Sequence, residues 1–223
     1  MLKEKLIQLK HELVDYSALI ERMIQKSIQG LEKRNENMLL EVIEKEEGEA
    51  NKYEIEIDEM CAQVIAQFQP KARDLRTVLM ILKINNDLER IGDLAVNISQ
   101  SSLFLIKNPQ LKPLEDIPKM TEITKRMLKD SINSFVNGDS NLAKNVCERD
   151  NLVDSLRDSV WKEIIKLLVS SKIDDEISIQ KALYLMGVSR YLERIADLST
   201  NICEDVIFMV EGKVIKHHLE NNK

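Results

Sequence analysis

The segment LERIGDLAVNI at Leu88–Ile98 returns as LERIADLSTNI at Leu192–Ile202, 104 residues further on and identical at 8 of 11 positions. Self-similarity at a fixed offset marks two copies of one structural unit, so the 223 residues are expected to fold as two similar halves. The repeat duplicates more than a core pattern. On a helix Glu89, Asp93 and Asn97 step four residues at a time and form one oxygen-bearing stripe. Glu193, Asp197 and Asn201 form a second.

The rest of the chain reads as helix. Only ten residues are Gly or Pro and 4% are aromatic, whereas Leu, Ile, Glu, Lys and Met are abundant, a balance that belongs to helical bundles. Leu6, Leu9, Leu13, Tyr16, Ile20 and Met23 recur three or four residues apart, which predicts a first amphipathic helix ending between Gly30 and Asn37. A second helix is expected over about 37–67, with Tyr53, Ile57, Cys61 and Val64 inward and Pro70 beyond its end. A third runs from about Ala72 to Lys107. Pro109, Pro113 and Pro118 then mark the boundary between a first bundle, 1–111, and a second, 112–223.

The second half repeats the scheme. Helices are expected over about 119–136, closed by Asn137-Gly138, over 140–169, and over 176–210, stopped by Gly212 after a linker at 170–175. No segment alternates as a half-buried strand does. The expected fold is all-α: two tandem antiparallel three-helix bundles built from six long helices.

Charge and composition narrow the function. The formal charge is −6 with no basic cluster, which argues against nucleic acid as the ligand. No 18-residue apolar run spans a membrane, and MLKEKLIQLKHELVDY lacks the apolar region of a signal peptide, so the cytoplasm is the expected location. Cys61, Cys147 and Cys203 show no zinc spacing and read as buried packing residues. No His follows a Glu at the spacing a di-iron bundle uses, and no phosphate loop or nucleophile–base pair is present. An enzyme is not expected. Arg73 and Arg76 open the third helix, where the helix dipole does not favour cations; they serve either acids of the second helix or an anion or partner.

The stripes have candidate partners on the preceding helices. Aligned on the apolar pattern, Asp150 and Asp154 of the fifth helix correspond to Glu47 and Asn51 of the second. Each half then turns two i, i+4 pairs toward each other: Glu47, Asn51, Glu89 and Asp93 in the first, and Asp150, Asp154, Glu193 and Asp197 in the second. Converging carboxylates repel unless a cation sits between them. Hard oxygen donors suit iron, Mn, Mg or Ca, with Zn a softer alternative. The competing reading is a set of inter-helix acids neutralised by Arg90, Arg149, Arg157 and Arg194. Asn51 leaves the first copy one acid short, which makes the second the stronger expected metal site.

QPKARDLRTVLMILKINNDLERIGDLAVNI in the first half and ALYLMGVSRYLERIADLSTNICEDVIFMVEG in the second resemble the PhoU family of bacterial phosphate-uptake regulators. The resemblance spans essentially the whole chain. It implies a non-enzymatic negative regulator of phosphate uptake and the phosphate-starvation response. Its implied partners are the ATPase of the phosphate ABC transporter and a membrane sensor histidine kinase. It also implies surface iron or zinc clusters on the paired acidic motifs, carried here by the eight positions above. Leu94 and Leu198 stand where many members have His, so ligation through that side chain is not expected. The alternative function is a metal-binding or metal-buffering helical protein without a direct role in phosphate signalling. Phe104, Leu105 and Phe208 add apolar surface suited to a homodimer.

Overall fold

The computed structural model describes residues 1–113, 115–170 and 175–211. Gly212, His217, His218 and the middle of the 170–175 linker lie outside the described residues. The helices are α1 (Leu2–Glu32), α2 (Glu36–Glu41, a π-helical turn Val42–Glu46, and Glu47–Phe68), α3 (Arg73–Lys107), α4 (Asp116–Asn137), α5 (Ser140–Ser170) and α6 (Glu176–Glu211). The described residues contain no strand. The six expected helices are the six observed, within three residues at most ends.

Local chemistry sets the ends. Asn35 caps α2, its side-chain oxygen accepting the Met38 amide at 3.2 Å. Gly138 closes α4 at φ +64°, where the Asp139 amide reaches back to the Ser134 carbonyl at 2.9 Å. α1 runs through Gly30 instead of stopping there. A Cβ on Gly30 would lie 2.5 Å from Leu39 Cδ2, so this glycine lets α2 fold back against the last turn of α1.

The π turn was not foreseen. It buries Glu46, whose Oε1 accepts from Arg22 Nε at 2.9 Å and from Lys26 Nζ at 2.8 Å. A buried carboxylate is tolerated only when paired, and two cations of α1 supply the pairing.

α1, α3, α6 and α4 form an inner ring, each packed on the next, while α2 flanks α1 and α3 and α5 flanks α4 and α6. Two three-helix bundles therefore lie side by side over one continuous hydrophobic core. α3 and α6 run antiparallel across the seam. Lys83 early in α3 meets Asp205 late in α6 at 2.9 Å, and Phe104 late in α3 packs on Tyr184 early in α6 at 4.5 Å between ring centres. Midway between those contacts lie the two copies of the repeat. Of the three apolar residues singled out for a dimer, Leu105 is buried and Phe104 packs within the chain; Phe208 remains exposed.

Candidate functional site

In both copies the apolar positions face the core: Leu88, Ile91, Ala95 and Ile98 are buried, as are Leu192, Ile195 and Ile202. Buried Gly92 of the first copy lets α1 approach, since a Cβ there would meet Ile20 Cδ1 at 3.1 Å. Glu89 and Glu193 are half-buried, whereas Asp93 and Asp197 are exposed. The stripes point outward, as the periodicity predicts.

What the periodicity did not predict is that both stripes open into one place. Arg90, Asp93 and Asn97 of α3 and Arg194, Asp197 and Asn201 of α6 line a single groove of about 330 Å³, with Leu94 and Leu198 between them. Two guanidinium groups, two carboxylates and two amides thus repeat across the seam. The repeat reads as two faces in sequence and forms one symmetric groove in space.

Each stripe also has an inner end toward its flanking helix, and there the halves differ. In the second half the charges acting on Glu193 are Asp197, Arg157, Asp154 and Arg190. Burial raises the Glu193 carboxyl above its ordinary range, and Asp197 and Asp154 add to the rise. Asp197 is raised by the same burial and by Asp154. Arg157 opposes both, with its guanidinium 3.5 Å from Asp154, 3.1 Å from Asp158 and 3.5 Å from Glu193. Asp150 lies farther along α5, where its charge acts on Cys147. Asp154, Glu193 and Asp197 thus act on one another here, with an arginine threaded among them.

In the first half Glu54 of α2 joins the charges acting on the stripe. The charges acting on half-buried Glu89 are Asp93, Glu54 and Arg90, and its carboxyl is raised, first by burial and then by the two acids. Beneath them lies Tyr16, fully buried and stacked on Tyr53 at 5.5 Å. Among the described residues the Tyr16 hydroxyl has no hydrogen-bond partner, and burial with the charges of Glu54, Glu89 and Asp93 pushes its pKa up. In the alignment that equates Glu47 and Asn51 with Asp150 and Asp154, Glu54 corresponds to Arg157. That exchange was the available signal for Glu54, because position 54 lies one turn beyond Asn51 on the same helix.

Among the described residues no three carboxylate, thiol or imidazole groups close on one point at ligating distance. Of the four arginines expected to neutralise the acids, Arg157 does so at Glu193 and Asp197, Arg194 at Asp197 and Arg90 at Glu89. Arg149 instead pairs with Asp130 of α4 at 2.6 Å, and Arg90 lies 3.9 Å from Asp87. Cys147 and Cys203, far apart in sequence, are within hydrogen-bonding reach of each other between α5 and α6.

The chain matches the family model described as PhoU domain twice, over residues 13–102 and 117–206. It is 37% identical over 214 residues to the phosphate-specific transport system accessory protein PhoU homolog of Aquifex aeolicus, covering 96% of this chain and 95% of that protein. It is 34% identical to homolog 2 of Thermotoga maritima, covering 97% and 90%. Among solved structures it superimposes on PhoU from Pseudomonas aeruginosa with a TM-score of 0.88 at 26% identity, covering 96% of this chain and all of that one. The phosphate transport system regulatory protein PhoU from Streptococcus pneumoniae gives 0.86 at 26% identity, covering 97% of this chain and all of that one.

Proposed function

The chain belongs to the PhoU family, and from that premise we propose that it is a cytoplasmic, non-enzymatic negative regulator of phosphate uptake. In this reading it is an adaptor between the ATPase of the phosphate ABC transporter and a sensor histidine kinase that controls the starvation response. The observation that carries the reading is the composite groove of α3 and α6. Paired arginines, aspartates and asparagines around an apolar floor suit a protein segment bearing both signs of charge. They offer no nucleophile with its base and no phosphate loop, so recognition, not turnover, is the chemistry available. No described helix is long and apolar enough to cross a membrane, which fits a protein that meets its membrane partners from outside the bilayer. A homodimer would draw on exposed Phe208 rather than on Phe104 or Leu105.

The variant Glu193→Ala/Asp197→Ala tests the reading. Both side chains lie at the surface or half-buried, so helicity should survive. Phosphate-responsive genes should be derepressed in high phosphate; unchanged repression would remove the motif face as the working surface.

A bound metal is part of this proposal, and the donors differ in fit between the halves. At the second face Arg157 already supplies a positive charge among Asp154, Glu193 and Asp197. At the first face Asp93 and Glu54 both act on Glu89, with Arg90 opposing them, and among the described residues the buried Tyr16 hydroxyl nearby has no hydrogen-bond partner. Hard oxygen donors of this kind suit iron, Mn, Mg or Ca. We therefore rank Glu54, Glu89 and Asp93 ahead of the second set, the reverse of the order expected from acid count. The same observation favours the second reading, a metal-buffering protein. Elemental analysis should find metal that Glu89→Gln/Asp93→Asn loses and Glu193→Gln/Asp197→Asn largely retains. Metal well under one ion per chain, with no uptake of added iron or manganese, would end both the metal proposal and the buffering reading.

A further inference from the structure

At one end of the bundle the first turns of α1, the start of α3 and the final turns of α4 and α6 line an open cavity of about 680 Å³. It lies on a different part of the molecule from the motif groove, and the two share no lining residue. Lys3, Lys10, Arg73 and Arg76 bring four cations to its wall, against Asp74 as the one acid. Among the described residues none of the four is in an ion pair. Arg73 and Arg76 do not serve the acids of α2. In a chain with net charge −6, four unpaired cations around one cavity are a local reversal of the protein's field.

Lys10 is the member held deepest. Its ammonium donates to the Val136 carbonyl at 3.1 Å and sits 5.3 Å from the centre of the Phe135 ring. Burial and then the charge of Arg73 lower its pKa, so the positive charge there is uncompensated. The first turn of α3 adds the positive end of a helix dipole. Thr77 and Asn137 supply neutral polar groups.

The rest of the lining is apolar: Leu6 and Phe135 are buried beneath it, while Ile7, Val136, Met209 and Val210 offer apolar surface. Small-ligand sites typically measure about 300–1,000 Å³ and combine an apolar lining with a few placed polar groups. This cavity is several times larger than one inorganic phosphate needs. A bare phosphate would also leave the apolar wall unused.

We propose that this cavity binds a nucleotide-sized phosphorylated ligand, its phosphates on Arg73, Arg76 and Lys3 and its base or other apolar part against Ile7, Met209 and Val210. Guanidinium forks match phosphate oxygens two at a time, and exposed Ile7 and Val210 give an apolar group a surface to cover. The site gives the regulator an input separate from its motif face.

Isothermal titration of the full chain in phosphate-free buffer tests this with ATP, ADP, pyrophosphate and inorganic phosphate. ATP or ADP should bind saturably at one site. The affinity should fall as salt rises and should exceed that of pyrophosphate and phosphate. R73Q/R76Q, which removes two exposed charges, should weaken nucleotide binding by about tenfold or more with the circular dichroism unchanged. Absence of ATP and ADP binding at about millimolar concentration overturns the proposal. So does an equal affinity for pyrophosphate, or an unchanged affinity in R73Q/R76Q. Should that variant lose helicity, K3Q reads the same wall from exposed Lys3 on α1, and unchanged nucleotide affinity there overturns the proposal equally.

Discussion

Asp87 of α3 is held between opposing influences at the seam of the two halves. Burial pushes its carboxyl up to about 6; Asp205 adds to the rise, while Arg90 and Lys83 offset part of it. An unfolded aspartate titrates near 3.9, so between about pH 4 and 6 the folded chain keeps a proton that the unfolded chain has released. The stability tied to this proton is complete below about pH 4 and is lost as pH rises through 6. At pH 7 the ionised carboxylate costs on the order of 1–3 kcal/mol, since each pKa unit is worth about 1.4 kcal/mol. Asp87→Asn should therefore raise the urea midpoint at pH 7 and change it little near pH 4. An equal shift at both pH values would show that the carboxylate's charge is not the cause. Glu193 and Asp197 are raised in the same direction, so the motif face shares this sign of pH dependence. Single residues were where the sequence was least legible. Glu89, Asp93, Glu193 and Asp197 announce themselves by repetition, and their outward placement follows from helical period alone. Which positions of α2 and α5 reach the stripe depends on how far those helices slide along their neighbours. That slide is set by packing, which leaves no periodic trace.

At the scale of the element, legibility was nearly complete. Long amphipathic helices carry their signal in every turn, and caps such as Asn35 and Gly138 are chemically explicit. The exception is the π turn at Val42–Glu46. Nothing in VIEKE resists an ordinary helix. The extra residue is accommodated where Arg22 and Lys26 of α1 hold Glu46 in the interior, a contact made 20 and 24 residues away. π turns are rare and favour functional positions, but here a buried charge network accounts for it. Gly30 shows the same limit from the other side. It lies in the last turn of α1, which ends at Glu32 within the expected range, and its lack of a Cβ also serves the close approach of Leu39, a role no helix-end rule contains. A local rule fails wherever a tertiary contact uses the same residue for another purpose.

For the whole molecule, the repeat predicts two similar halves but is silent on how they meet. The meeting is extensive: α3 packs on α6, α1 on α4, and one hydrophobic core runs through both bundles. Lys83–Asp205, Phe104–Tyr184 and the Lys10 bond to Val136 all cross from one half to the other. The motif groove has one wall from each copy, so it exists only while the halves are docked. Cooperative unfolding should follow from this arrangement. Ile91→Ala in α3 and Ile195→Ala in α6 each empty a fully buried site and should each cost about 2–5 kcal/mol. Because the two sites stabilise one core, both substitutions should move a single urea transition, seen alike by circular dichroism and by the fluorescence of Trp161 on α5. Two separate transitions, with Ile91→Ala moving one and Ile195→Ala the other, would mean that the halves fold independently. The groove would then be a docking geometry that either half can abandon.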